Sequence, residues 1–182
     1  MAYVPLILAA VVVAWFVAAY NKLVRFRNQI KNAWHQIDVQ LKRRYDLIPN
    51  LVEVVKDYMS YEQETLTKVI EARGAALSAK GTAAQAKAEN VLTESLKSLF
   101  AVFENYPDLK ANQNVASLQE ELTGTENKIS FARQFYNDSV MTYNNGIQSI
   151  PSNFVASLFN FAPEAYFETE PESRAVPKAD LR

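Results

Sequence analysis

The large apolar residues of this chain recur every three or four positions, a pattern typical of amphipathic helices. After an apolar N-terminal run they fall at spacings of 3, 4, 4, 3, 4, 4 and 3, at Leu23, Phe26, Ile30, Trp34, Ile37, Leu41, Tyr45 and Ile48. Pro49 lacks a backbone donor and clashes with the preceding turn. We therefore expect the first helix to end or kink there.

Two helices of different composition should follow. The second is expected from Asn50, which can cap it, to about Ala79. The third is expected over about residues 83–105, with an Ala-rich start and a bulky apolar end that Pro107 terminates. Residues 106–114 then form a connecting loop.

The fourth helix has the most regular apolar pattern in the chain. Its spacings are close to the 3.5-residue seam of helices packed nearly antiparallel, at Leu118, Leu122, Thr125, Ile129, Ala132, Tyr136, Val140, Tyr143, Ile147 and Ile150. Pro151 stops it, and a short amphipathic segment, residues 152–159, follows. The pattern predicts an all-α fold, an antiparallel up-down four-helix bundle.

The N-terminal run predicts a transmembrane helix. Residues 1–21 carry no charged side chain, and residues 4–20 are nearly all apolar. A helix of that length roughly matches a ~30 Å hydrocarbon core. A cleaved signal peptide ending near Ala18-Ala19 and a buried core helix are the alternatives.

The chain divides accordingly into three parts. We expect a transmembrane anchor at 1–21 that continues into the first bundle helix, and a helical bundle domain at 22–167. Residues 168–182 are charged and contain proline, so we expect a disordered tail.

Charge is distributed unevenly, although the whole chain has a net charge of −1. The segment 22–44 carries seven basic residues against one acid, Asp38, and the remainder is acidic. The basic residues are candidate membrane or partner contacts: Lys22, Arg25, Arg27, Lys31, Lys42, Arg43 and Arg44. Because Lys and Arg near a span tend to stay cytoplasmic, we expect the N-terminus outside and the bundle inside.

The dense cluster 42–44 lies far along the helix from the lipid headgroups. We expect it to pair with acids of the bundle, such as Asp38, Asp46 or Asp138, or with acids of a partner. A first helix folded back along the membrane would instead restore lipid contact. The acidic remainder of the chain argues against nucleic-acid binding.

An aromatic C-terminal segment supplies further candidate contacts, Phe154, Phe159 and Phe161. It either closes the base of the bundle or forms an exposed patch that docks on lipid, a second subunit or a client protein.

Catalytic patterns are missing from the sequence, so we expect no enzyme, no metal site and no cofactor. His35 is the one histidine, there is no cysteine, and the four glycines are scattered, which excludes phosphate-binding loop motifs. Carboxylates such as Glu53 and Asp57 are expected to be solvated helix charges.

Several stretches resemble the LemA family. They are Tyr20-Asn21 through Asn32-Ala33-Trp34, then Ile37–Arg44, Asp46–Val52, Phe131–Asp138, Ile150–Asn153, Phe159–Phe161 and Tyr166–Glu168. The resemblance covers about residues 3–168. It implies a bacterial membrane protein with an N-terminal span and an antiparallel helical bundle, without an established activity.

Location and function follow from these expectations. We expect the chain to cross the bacterial inner membrane once. Some family members are lipoproteins tethered on the outer side of the membrane, and for that reason an extracytoplasmic bundle is the alternative. This chain has no cysteine to carry such a lipid anchor. We expect a scaffold or adaptor that forms homo-oligomers through small anchor residues and binds an unidentified protein partner. A membrane-shaping oligomer and a membrane-associated hydrolase are the alternatives.

Overall fold

The computed structural model describes residues 3–59 and 61–167. Their regular structure is helical throughout and contains no strand: α1 (Tyr3–Val55), α2 (Gln63–Ser78), α3 (Thr82–Phe103), α4 (Pro107–Ala111), α5 (Gln113–Gln148) and α6 (Ser152–Leu158). The expected fold class, a long apolar N-terminal helix packed with further helices in a bundle, is confirmed. The tail at 168–182 lies outside the described residues.

The described helices form two compact units. The first contains residues 3–39 of α1, residues 129–148 of α5, α6 and the segment up to Tyr166. The second contains residues 40–55 of α1, then α2, α3, α4 and residues 113–128 of α5. The division into an anchor at 1–21 and a bundle at 22–167 stays a prediction.

The first unit packs α1 against α5 along the two predicted stripes. Leu23, Ile30 and Ile37 of α1 are buried, and the ring of Trp34 meets that of Tyr136 at 5.5 Å. On α5 the seam is buried from Ile129 to Ile147, but Ile150, expected on the inner face, is exposed. The reason is that α5 ends at Gln148, so Ile150 no longer follows the helical period.

The second unit buries one apolar core among four helical segments. Its members are Leu41, Ile48, Leu51, Val55, Leu66, Val69, Leu92, Leu96, Leu99, Val115 and Leu122. Three residues join α2 to α3, which makes these two helices antiparallel neighbours. Gly81 closes this link with a φ of 83°, a backbone conformation that residues with a side chain rarely adopt.

The predicted end of the first helix at Pro49 is wrong, because α1 continues to Val55. Proline at this position leaves the carbonyl of Tyr45, four residues earlier, without its helical donor. Arg73 of α2 replaces it, since its Nε donates to the Tyr45 carbonyl oxygen at 2.8 Å. A tertiary hydrogen bond thus satisfies the group that the proline leaves free.

Other predicted boundaries differ less. Because residues 50–55 belong to α1, Asn50 does not cap the second helix, which starts at Gln63. The second helix ends at Ser78, one residue before the predicted end. The third helix, Thr82–Phe103, agrees within two residues. The expected loop at 106–114 contains the short helix α4, which has Pro107 in its first turn.

Replacing Arg73 tests the repair at Pro49. Arg73→Met should lower the free energy of unfolding by about 1–2 kcal/mol, because it leaves a part-buried carbonyl unsatisfied. Pro49→Ala supplies a backbone N–H to the same carbonyl, so the cost of Arg73→Met should roughly halve in that background. Urea unfolding of the four proteins of this cycle in detergent, followed by circular dichroism, gives the coupling. Strictly additive effects would contradict the assignment.

Candidate membrane-interface site

The N-terminal part of α1 is apolar and uncovered. An 18-residue window within it has a mean hydropathy of 2.2, and none of that window is buried by protein. Among the described residues α1 is the one helix long and apolar enough to cross a membrane. The buried-core alternative is wrong, because the described residues bury none of this window. A single membrane anchor is indicated.

Aromatic side chains gather around the end of this apolar segment. The ring of Tyr20 lies 4.6 Å from that of Phe159 and 5.7 Å from that of Phe161, and Phe16 lies 6.0 Å from Phe159. Two of the three aromatic residues expected as contacts therefore pack on α1, while Phe154 is exposed. The amphipathic ring of tyrosine, here Tyr20, favours the boundary between lipid and water.

Hydrogen bonds from α5 hold the segment after α6 in place. The hydroxyl of Tyr143 donates to the carbonyl of Ala162 at 2.9 Å. The Asn144 side chain donates to the Glu164 carbonyl at 2.9 Å and accepts from the Glu164 N–H at 3.0 Å. Because Asn144 and Tyr143 are buried, these bonds fix the chain that carries Phe161.

The four basic residues after the anchor, Lys22, Arg25, Arg27 and Lys31, are all exposed on α1. Arg27 lies near Tyr143: burial raises the pKa of Tyr143, and the charge of Arg27 partly opposes that shift. The Tyr143 hydroxyl accordingly stays protonated at neutral pH and remains a donor.

A groove of about 470 Å³ joins the apolar and basic parts of this region. Trp15, Ala18 and Ala19 line its apolar part, and Lys22 and Arg25 line its basic part. The turn between α5 and α6 forms the opposite wall, at Gly146, Ser149, Ile150, Pro151 and Ser152.

The second basic cluster behaves differently from the first. Lys42 and Arg43 are exposed, and Arg43 pairs with Glu121 at 3.3 Å. Arg44, by contrast, is only 2% exposed. A buried guanidinium cannot contact lipid or a partner, so this placement corrects the expectation for Arg44.

Arg44 is neutralised inside the second unit. Its Nη1 lies 3.2 Å from Glu89, which is 0% exposed, and 3.0 Å from Glu126. Its Nη2 donates to Thr93 at 2.9 Å. The acids that pair with the cluster are thus Glu89, Glu121 and Glu126, rather than the aspartates expected from the sequence.

Glu89 receives further donors from neighbouring side chains. The Tyr45 hydroxyl donates to its carboxylate, as does Gln85 at 2.9 Å. Burial first, and then the hydrogen bond to Glu89, raise the pKa of Tyr45 well above its usual value. The buried carboxylate therefore has a charge partner and two neutral donors.

Sequence reasoning missed Glu89, although a signal was present. Glu89 lies three residues before Leu92 and seven before Leu96, on the buried face of α3. A carboxylate at such a position requires a buried cation. Arg44 is at a corresponding position, because it lies three residues after Leu41 on the buried face of α1. Gly146 and the turn at 149–152 carried no comparable signal.

The other titratable residues singled out in the sequence lie apart from this region. His35 and Asp38 are exposed on α1; partial burial raises the pKa of Asp38, and the charge of His35 opposes the shift. Within residues 3–59 and 61–167 no three His, Asp or Glu side chains group as a metal site would need.

A helical bundle carried on one apolar N-terminal helix, with aromatic and basic residues where the apolar run ends, defines a class of single-anchor all-α proteins. Comparison with known families agrees with the resemblance seen in the sequence. The chain belongs to the LemA family, whose profile matches residues 33–181.

Named relatives support the family assignment. The chain is 28% identical over 172 residues to Protein LemA of Metamycoplasma hominis, covering 92% of this chain and 77% of the relative. It is 22% identical over 185 residues to Magnetosome protein MamQ 2 of Paramagnetospirillum magneticum, covering 87% and 68%. Magnetosome protein MamQ of Magnetospirillum gryphiswaldense is 21% identical over 178 residues, covering 84% and 65%.

Breaking the buried ion cluster should destabilise the second unit. Arg44→Met leaves Glu89 buried without its cation and should cost about 3–5 kcal/mol, whereas Arg44→Met with Glu89→Met should recover most of that loss. Arg43→Met, which removes an exposed pair, is the matched control and should cost at most about 1 kcal/mol. Urea unfolding in detergent measures all three, and equal costs for Arg44→Met and Arg43→Met would contradict the assignment.

Proposed function

We propose that this protein is a membrane-anchored helical scaffold that acts through protein–protein contacts and not by catalysis. The observation that carries the proposal is a pair of exposed rings on α5: Phe131 is 72% exposed and Phe135 is 40% exposed. They lie four residues apart and so share one helix face. Exposed neighbouring aromatic side chains are enriched where proteins bind each other.

The interior of the bundle supports the same proposal. Glu89 is fully buried and hydrogen-bonded, so it cannot reach a substrate as an acid or base. A rival hydrolase could use the pocket beside Glu126, Thr93 and Lys97, of about 160 Å³, or the pocket beside Lys68, Glu94 and Ser95, of about 330 Å³. Small-molecule sites usually enclose at least about 300 Å³, which the first pocket does not reach. In the second, the hydroxyl groups of Ser95 and Ser98 donate to carbonyls of their own helix and have no histidine beside them in the lining.

A second copy of the chain is the partner we propose for the α5 face. The anchor adds to this proposal, since Ala9, Ala10 and Ala14 are exposed and allow helices to approach closely in lipid. Homo-oligomer interfaces are commonly more apolar than transient ones. An unidentified protein partner could use the same rings.

Self-association can be measured directly on the full chain in detergent. Phe131→Ser with Phe135→Ser should weaken it about tenfold or more, because buried aromatic contacts dominate interface energies. Val39→Ser removes another exposed apolar side chain and should leave it unchanged. Crosslinking and mass measurement across a concentration series give the result. A wild-type chain that stays monomeric at every concentration would rule out self-association.

We propose that the bundle lies in the cytoplasm, with the chain crossing the bacterial inner membrane once and its N-terminus outside. The support is the exposed basic group Lys22, Arg25, Arg27 and Lys31 directly after the span. An extracytoplasmic bundle is the alternative.

The absence of native cysteine makes this orientation easy to test. A single cysteine at the exposed position Ser130→Cys should be protected from an impermeant maleimide in intact spheroplasts and labelled after permeabilisation. Ala2→Cys should show the opposite behaviour. Labelling of Ser130→Cys in intact spheroplasts would establish the reverse orientation.

A membrane-organising oligomer is the second candidate function. It is favoured by Ile150, Phe154 and Leu158, which are exposed around α6 while Phe159 packs on the anchor helix. Apolar side chains next to the end of the anchor helix would enter the interfacial region of the bilayer. Reconstituted vesicles with unchanged size and curvature would argue against this candidate.

A further inference from the structure

We propose that the groove between the end of the anchor and the α5–α6 turn binds an anionic phospholipid of the phosphatidylglycerol type. Lys22 and Arg25 would hold its phosphate, and one acyl chain would lie along Trp15, Ala18 and Ala19. The inference rests on the proposed anchoring of α1 in a membrane, and it is independent of the proposed self-association.

The groove has the polarity of a lipid molecule along its length. Its lining residues on α1, from Trp15 through Ala18 and Ala19 to Lys22 and Arg25, fall on one helix face. From Trp15 to Lys22 the helix rises by about 10 Å, and the charge-free run ends one residue before Lys22. The apolar part therefore lies at acyl-chain depth, and the two cations lie at headgroup depth.

Small residues give the groove its depth. Ala18 and Ala19 leave space beside the larger Trp15 on the anchor side. On the opposite side, a Cβ atom at Gly146 would lie 3.3 Å from the ring of Phe26 and 3.4 Å from Leu23. Glycine there allows the end of α5 to approach α1, so that the following turn forms the second wall.

The charge of the groove favours an anion. Its lining contains Lys22 and Arg25 but no carboxylate. The ion pairs formed within the part of the chain that the structure describes do not include either cation. Lys22 Nζ lies 5.6 Å from the centre of the Phe26 ring, which holds the ammonium at the groove.

The hydroxyl groups of the opposite wall are already in use as donors. Ser149 Oγ donates to the Asn145 carbonyl at 2.7 Å, and Ser152 Oγ donates to the carbonyl of Gly146 at 2.6 Å. The two cations must therefore supply the attraction for phosphate. A zwitterionic lipid would bring its own cation next to them, whereas phosphatidylglycerol would not. Basic pockets at this depth are typical sites for anionic headgroups.

Trp15 provides a reporter inside the groove. The chain has two tryptophans, so Trp34→Phe leaves Trp15 alone and keeps a ring against Tyr136. We would place this full-length variant in nanodiscs containing brominated lipid, because bromine quenches tryptophan fluorescence at short range. Half-maximal quenching should need an about tenfold lower mole fraction of brominated phosphatidylglycerol than of brominated phosphatidylcholine.

Two groove variants should reduce that preference. Lys22→Gln with Arg25→Gln should abolish it. Ala19→Leu, which fills the apolar part without changing any charge, should reduce it several-fold. The matched control, Arg27→Gln with Lys31→Gln, removes two exposed cations of the same helix that do not line the groove, and it should retain the preference.

Several results would overturn the proposal. Equal quenching by the two lipids in the parent variant would contradict it, and so would equal losses in the groove and control pairs, which indicate diffuse electrostatic attraction. Removal of the preference by millimolar glycerol phosphate would identify a site for soluble phosphate instead. A chain that fails to enter nanodiscs contradicts the anchoring as well, whereas incorporation without preference contradicts only the groove.

Discussion

The exposed apolar surface of the N-terminal part of α1 is the constraint from which the neighbouring features follow. Each exposed Å² of such surface costs about 25 cal/mol in water, and the uncovered window extends over 18 residues. A bilayer removes this cost without any tertiary packing. The side chains next along the helix then have to suit the lipid boundary, and there the structure places Tyr20 with Phe159 and Phe161, followed by Lys22 and Arg25.

A second constraint acts on the backbone and the charges of the bundle. Polar groups inside it are costly unless a hydrogen-bond or charge partner satisfies them. The Tyr45 carbonyl, freed by Pro49, receives Arg73, and the Arg44 guanidinium receives Glu89 and Glu126. Both solutions join α1 to helices that lie far from it in the sequence. Polar pairing of this kind favours one register of the helices over others, because a shifted helix would leave a charge unpaired.

The sequence predicted features that depend on local periodicity. The stripe from Leu23 to Ile48 and the seam from Ile129 to Ile147 were identified from spacing alone, because a helix repeats its faces every 3.6 residues. The helix end at Pro49 was mispredicted because its cost depends on a donor 24 residues later. Arg44 was misassigned for the same reason: local composition shows a cationic cluster, whereas only the tertiary fold brings Glu89 to it. The groove likewise depends on the approach of Gly146 to Phe26.

Lys22 and Arg44 show why residue type alone does not determine what a cation does. Both lie on α1 within basic segments, and Lys22 also lies over the ring of Phe26. Arg44 is almost completely buried and faces two carboxylates, so its charge is cancelled and it stabilises the helices around it. The groove around Lys22 contains no carboxylate and adjoins the anchor helix. The positive charge of Lys22 is therefore not cancelled within the groove and can attract an anion from outside the protein. An anionic headgroup would neutralise the charge of Lys22, as the Glu89 carboxylate neutralises that of Arg44.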